Sequence, residues 1–124
     1  MKELTKAEDQ IMQILWQLKK GFVKDVIARI PEPKPAYNTV STIIRILESK
    51  GFVAYKAYGK THEYYPLVER DTYRSFYLKN LLRNYFGGKF EQLVSFFAKD
   101  NDMDVRDMEE ILKYVESDMK EEEK

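Results

Sequence analysis

The chain has 124 residues, 44% hydrophobic and 14% aromatic, enough for one domain or two small modules sharing one fold. The absence of cysteine excludes a disulfide framework and any thiolate metal site and fits a reducing cytoplasm; no apolar run reaches bilayer length and Met1-Lys2-Glu3-Leu4 does not begin a signal peptide, so a cytoplasmic protein without membrane insertion is expected. Net charge is zero, but residues 1–66 carry 11 Lys and Arg against 7 Asp and Glu, and residues 67–124 carry 10 against 14, so the first half suits phosphate and the second repels it.

Thr5-Lys6-Ala7-Glu8 has the spacing of a capping box. Ile11, Ile14, Leu15 and Leu18 then recur at helical intervals, with Met12 and Trp16 widening the apolar face, and Gly21 is expected to end this first helix. A short helix from about Val23 to Ile30 turns Val26, Ile27 and Ile30 inward and stops at Pro31, Pro33 and Pro35, since proline supplies no amide and biases its predecessor away from helix. A third helix is predicted from about Asn38 to Lys50, with Val40, Ile43, Ile44 and Leu47 as its buried stripe and Gly51 as a left-handed cap. Phe52 to Lys56 and Thr61 to Tyr65, joined through Tyr58-Gly59, read as a hairpin. Three helices and a hairpin in about 60 residues is the order of a winged helix-turn-helix.

After Pro66-Leu67-Val68 the pattern changes. A helix from about Asp71 to Phe86 carries Tyr73, Phe76, Tyr77, Leu78, Leu81, Leu82, Tyr85 and Phe86, a stripe too wide for a helix with one face in solvent. It suits a helix that buries one side against its own chain and another against a second copy. Gly87-Gly88 breaks it, Phe90, Leu93, Val94, Phe96 and Phe97 form a short apolar helix, and Met108, Ile111, Leu112, Val115 and Met119 mark a last one from about Asp104. The expected fold class is mainly α with a small β-hairpin. Residues 1–70 are expected to form a winged-helix DNA-binding domain, and residues 71–124 a three-helix dimerisation domain. The contacts between copies are assigned to Tyr73, Phe76, Tyr77, Leu81, Tyr85, Phe90, Leu93, Phe97, Ile111, Leu112 and Val115.

The third helix has the two faces that major-groove recognition requires, one for the core and one of short polar and basic side chains. Asn38, Thr39, Ser41, Thr42 and Arg45 lie opposite the apolar stripe, most of them in the first two turns. Asn and Arg can bond a base edge with two hydrogen bonds, and Ser and Thr serve bases or phosphates. Between Pro33 and His62 the bases are Lys34, Arg45, Lys50, Lys56 and Lys60, and Glu48 is the only acid. Tyr37, Lys50, Lys56, Tyr58, Lys60, Thr61 and His62 are therefore assigned to the DNA backbone, which positions a protein without specifying sequence. A protein with this face is expected to act as a transcriptional repressor, a symmetric dimer on double-stranded operator DNA.

An enzyme is disfavoured: there is no cysteine nucleophile, one histidine, no glycine-rich phosphate loop and no pair of carboxylates isolated in an apolar stretch. Asp100, Asp102, Asp104 and Asp107 lack the glycine and terminal glutamate of an EF-hand loop. No cofactor, metal ligand or catalytic residue is assigned. The competing class is a winged-helix adaptor that binds protein, for which the basic, polar face from Asn38 to Lys60 would have no use.

The runs Leu4-Thr5-Lys6-Ala7-Glu8 with Ile14-Leu15-Trp16, Ala36-Tyr37-Asn38-Thr39-Val40-Ser41-Thr42, Leu47-Glu48-Ser49-Lys50-Gly51-Phe52-Val53, Tyr64-Tyr65-Pro66-Leu67-Val68 and Phe86-Gly87-Gly88 before Leu93-Val94 go further. In that order and spacing the chain resembles the BlaI/MecI/CopY family of penicillinase-type transcriptional repressors over nearly its whole length. The resemblance implies a winged-helix N-terminal domain, a helical dimerisation domain, an inverted-repeat operator, and release after cleavage linked to a membrane-bound sensor metalloprotease. In the antibiotic-resistance repressors the cut falls at an Asn-Phe bond, which corresponds here to Phe96-Phe97, without the asparagine. The cysteine-rich tail of the copper-responsive branch is absent, which excludes copper sensing by that route. The resistance repressors also carry a basic pair around the positions of Asn38 and Ser41, so their operator sequence is not carried over.

Overall fold

The structure, a computed structural model, describes residues 1–100 together with Glu110 and Lys113. Apart from Glu110 and Lys113, the expected last helix, with Ile111, Leu112 and Val115, lies outside the described residues, as do the side chains of Phe90 and Phe97. The chain divides into two compact units, Met1–Thr72 and a second beginning at Tyr73.

In the first unit, α1 (Lys6–Leu18) opens with the capping box its sequence predicts. The Thr5 amide donates to Glu8 Oε1 at 2.9 Å and the Glu8 amide to Thr5 Oγ1 at 3.2 Å, so two of the orphan amides of the helix start are satisfied. Ile11, Met12, Ile14 and Leu15 are buried. The helix does not run to Gly21. Lys19 takes the left-handed backbone (φ 71°) and its amide returns to the Leu15 carbonyl at 2.7 Å. Gly21 instead pairs with the hairpin, exchanging hydrogen bonds of 2.9 and 2.8 Å with Tyr64. A Cβ on Gly21 would stand 3.3 Å from Asp25 Cβ, so this close approach suits a residue without a side chain.

The second helix, α2 (Val23–Ala28), is two residues shorter than its sequence pattern. Asp25 accepts from the Phe22 amide at its start. At its end the Lys34 ammonium donates to the carbonyls of Ile27, Ala28 and Ile30 at 2.9, 3.3 and 2.8 Å, a cation placed where the helix dipole is negative. The third helix, α3 (Tyr37–Ser49), packs Val40, Ile44 and Leu47 into the core, while Ile43 is only half-buried. Gly51, at φ 83°, is the left-handed cap; the Phe52 amide reaches back to the Leu47 carbonyl at 2.9 Å.

Strands β1 (Val53–Tyr58) and β2 (Thr61–Pro66) pair antiparallel, with Tyr55 opposite Tyr64 and Tyr58 opposite Thr61. Gly59 (φ 64°) occupies the first turn position and Lys60 the second, the arrangement of a II′ turn. Val53 and Tyr64 point from this hairpin into a core completed by Ile11, Met12, Leu15, Val26, Val40, Ile44, Leu47 and Phe52. The indole N–H of Trp16 donates to the Val68 carbonyl at 2.9 Å and holds the chain leaving the hairpin against α1.

Helix α4 (Arg70–Tyr85) crosses into the second unit and ends at two left-handed glycines, Gly87 (φ 57°) and Gly88 (φ 77°), with the Gly88 amide on the Leu82 carbonyl at 3.0 Å. Helix α5 (Phe90–Asp100) follows. Tyr73 and Leu93 are buried in the single chain, Phe76 and Leu81 are half-buried, and Tyr77 and Tyr85 face solvent. The mainly helical fold with one hairpin is thus as the sequence predicts, and no helix among the described residues is long and apolar enough to cross a membrane.

Candidate nucleic-acid interface

At 100° per residue, the buried residues Val40, Ile44 and Leu47 define one side of α3, and Asn38, Thr42, Arg45 and Ser49 fall on the opposite side. All four are exposed. Asn38, Ser41, Thr42 and Arg45 stand at i, i+3, i+4 and i+7, the spacing at which one helix meets successive bases in a major groove. Thr39 is exposed on one flank, while Tyr37 and half-buried Ser41 turn to the other, toward the hairpin. The Thr42 hydroxyl donates to the Asn38 carbonyl at 2.8 Å, which leaves its oxygen able to accept.

Between α3 and the hairpin lies a cleft of about 350 Å³. Its lining brings together Tyr37, Ser41 and Arg45 from α3, Lys60, Thr61 and His62 from the hairpin, and Lys24 from α2. Seven side chains from three elements, three of them cationic, thus face one concave surface that opens beside the outward face of α3. Tyr64 forms part of its floor. Burial, helped by the charge of Glu48, pushes the Tyr64 phenol up from its ordinary value against the opposing pull of Arg45, so it remains a neutral hydrogen-bonding group.

The hairpin is stiffened by ring contacts. Tyr55 and His62 stack at 4.0 Å with planes 6° apart, Lys56 Nζ lies 5.3 Å from the centre of the Tyr58 ring, and Tyr58 tilts against Phe22 at 5.9 Å. Lys56, Tyr58, Lys60 and Thr61 are exposed and His62 is half-buried. The Thr61 hydroxyl closes the turn by donating to the Tyr58 carbonyl at 2.9 Å.

Two of the five bases between Pro33 and His62 have work inside the chain. Lys34 caps α2, as described above. Lys50, assigned from sequence to the DNA backbone, donates to both carboxylate oxygens of Glu8 at 2.9 Å. That leaves Arg45, Lys56 and Lys60 as the cations of this region available to phosphate. Lys24 joins them. It lies outside the segment whose charge drew attention in the sequence, and only the packing of α2 beside the hairpin brings it to the cleft.

Three helices, a hairpin tied back to Gly21, an outward polar face on the third helix and a basic cleft beside it define a winged helix-turn-helix protein of the DNA-binding type. The chain belongs to the penicillinase repressor family, whose profile matches residues 4–117, and this is a family of DNA-binding transcriptional repressors, not of enzymes. It is 31% identical over 110 residues to the methicillin resistance regulatory protein MecI of Staphylococcus aureus (strain N315) and, to the same extent, to that of Staphylococcus epidermidis; each alignment spans 88% of this chain and 89% of the relative. A penicillinase repressor of Staphylococcus aureus is 24% identical over 88% of this chain and 87% of its own length. Among solved structures, the "CopR Repressor Structure" aligns with 55% of this chain and 100% of its own at 29% identity, with a TM-score of 0.46.

Proposed function

We propose that the protein represses transcription as a homodimer on an inverted-repeat operator, each α3 entering a major groove about one DNA turn from the other. The convergence of the outward face of α3 and the hairpin on one basic cleft carries this reading. Asn38, Thr39, Ser41, Thr42 and Arg45 supply base contacts. Tyr37, Lys56, Tyr58, Lys60, Thr61 and His62, joined by Lys24, supply backbone contacts, while Lys50 holds α3 in place through Glu8. A dimer seated this way blocks access of polymerase to the promoter. Family membership and the MecI and penicillinase repressor relatives support the same class of activity. Release by a membrane sensor metalloprotease would act at Phe96-Phe97 in α5, where a phenylalanine replaces the family's asparagine.

The test is binding to duplex DNA selected by the protein from a random pool, measured across a salt series. Affinity should fall steeply as salt rises, because each phosphate contact releases counterions. Lys24→Ala and Lys60→Ala should each flatten the slope of log affinity against log salt by about 2, one contact in each half-site, with little change in preferred sequence. Arg45→Ala should lower affinity by about 1–3 kcal/mol for each half-site and relax specificity at one base pair; unchanged affinity would remove Arg45 from the readout set. Absence of duplex binding at low salt would favour a protein-binding adaptor.

A further inference from the structure

Helix α3 carries an aliphatic side chain that its core does not use. Val40, Ile44 and Leu47 are buried and Ile43 is half-buried, but Ile46 keeps 42% of its surface in solvent. Helix propensity does not account for isoleucine at such a position, since its β-branch loses freedom against the preceding turn and Leu, Lys or Ala would suit an exposed helix better. Its place on the helix is more informative. Thr39, Thr42 and Ile46 stand at i, i+3 and i+7, a second row beside Asn38, Thr42 and Arg45, and all of these side chains are exposed. From Asn38 to Ile46 the helix rises about 12 Å, close to the width of the major groove.

The edges of the bases in that groove present donors, acceptors and one apolar group, the 5-methyl of thymine. Asn38, Thr39, Ser41, Thr42 and Arg45 answer the donors and acceptors. Ile46 is the exposed aliphatic side chain of α3, and it offers the methyl a larger apolar surface than the threonines Thr39 and Thr42 beside it. We propose that Ile46 is a specificity-determining residue that packs on a thymine 5-methyl in each half-site, an inference that rests on the DNA-binding reading above.

The experiment uses the full-length protein and its selected duplex, with thymines replaced one at a time by deoxyuridine, which removes only the methyl. Fluorescence anisotropy is measured for the wild type and for Ile46→Ala, with Ile46→Val as the conservative variant and circular dichroism to confirm the helices. The wild type should lose about fourfold in affinity per half-site at one thymine position, the worth of one buried methyl group. Ile46→Ala should lose at least as much on the thymine duplex and become indifferent to deoxyuridine at that position, and Ile46→Val should keep most of the wild-type discrimination. The assignment is overturned if no thymine position matters to the wild type, if Ile46→Ala binds the thymine duplex as the wild type does, or if the variant keeps full sensitivity to the methyl. Each of these outcomes leaves wild-type, salt-dependent DNA binding intact, whereas failure of the wild type to select any duplex removes the DNA-binding reading itself and this inference with it.

Discussion

Tyr77→Asp should convert the protein to monomers and weaken operator binding by about two to four orders of magnitude. Tyr77, Leu81 and Tyr85 lie at i, i+4 and i+8 along one row of α4, and Tyr77 and Tyr85 are 46% and 76% exposed. Phe96 on α5 is 49% exposed as well. Large aromatic side chains left outward in this number, beside Tyr73, Leu82 and Leu93 already buried in the same unit, suit an apolar surface that a second copy covers. A carboxylate in the middle of that surface would be taken out of water without a partner, at a cost that favours dissociation. Operator affinity then falls for a reason remote from the DNA. In the proposed dimer the second half-site would be bound at the high effective concentration set by the first, and that gain, about 10²–10⁴, would disappear in a monomer. Sedimentation should give the 14.8 kDa of one chain. A variant that sediments as an intact dimer would remove Tyr77 from the interface. Arg45→Ala provides the contrast, since it should weaken operator binding while leaving the dimer whole.

The parts of the fold legible in the sequence are those encoded over a few residues. Thr5 and Glu8 are three apart, and the capping box forms as written. Gly51 and Gly59 sit where a left-handed backbone is needed, and both adopt one. The spacing of Val40, Ile44 and Leu47 defined the outward face of α3 without any tertiary information. What was not legible depends on partners far away in the chain. Lys50 and Glu8 are separated by 42 residues, and Trp16 and Val68 by 52. No local pattern distinguishes a lysine that reaches solvent from one that reaches a buried carboxylate, so a count of bases overstated the positive face by Lys34 and Lys50 and omitted Lys24. Gly21 misled for a related reason: its lack of a side chain leaves room for Asp25 and Leu18, and Lys19 accepted the left-handed turn that would have suited a glycine. In α4 the stripe showed that two sides are apolar, but only packing separates Tyr73, buried, from Tyr77, exposed.

Lys50→Met should destabilise the first unit and weaken the dependence of its stability on acid. Glu8 is 4% exposed at the start of α1 and Lys50 closes α3, so their ion pair bolts α3 to α1. Burial pushes the Glu8 carboxyl up. The hydrogen bonds from Lys50, the Thr5 amide, the ammonium charge and the Thr5 hydroxyl together outweigh it and hold the group below its ordinary value. A carboxyl held low when folded binds its proton more readily when unfolded. The wild-type contribution is therefore fully present above the ordinary glutamate pKa, about 4.3, and is lost as pH falls through the lower folded value. Removing the ammonium while keeping a side chain of similar reach leaves a buried carboxylate with only the Thr5 hydrogen bonds, which should cost about 2–3 kcal/mol at neutral pH. With the Lys50 hydrogen bond and charge gone, the Glu8 carboxyl should hold its proton more readily in the folded state, so the stability that the wild type loses on acidification through the Glu8 range should be smaller in the variant. Trp16, the single tryptophan, belongs to this unit and reports its unfolding by fluorescence in urea. Glu8→Gln added to Lys50→Met should remove the pH dependence that this carboxyl still contributes and restore part of the lost stability. Equal pH profiles for wild type and Lys50→Met would mean that Lys50 does not hold the Glu8 charge, and the lysine would return to the set of cations available to DNA.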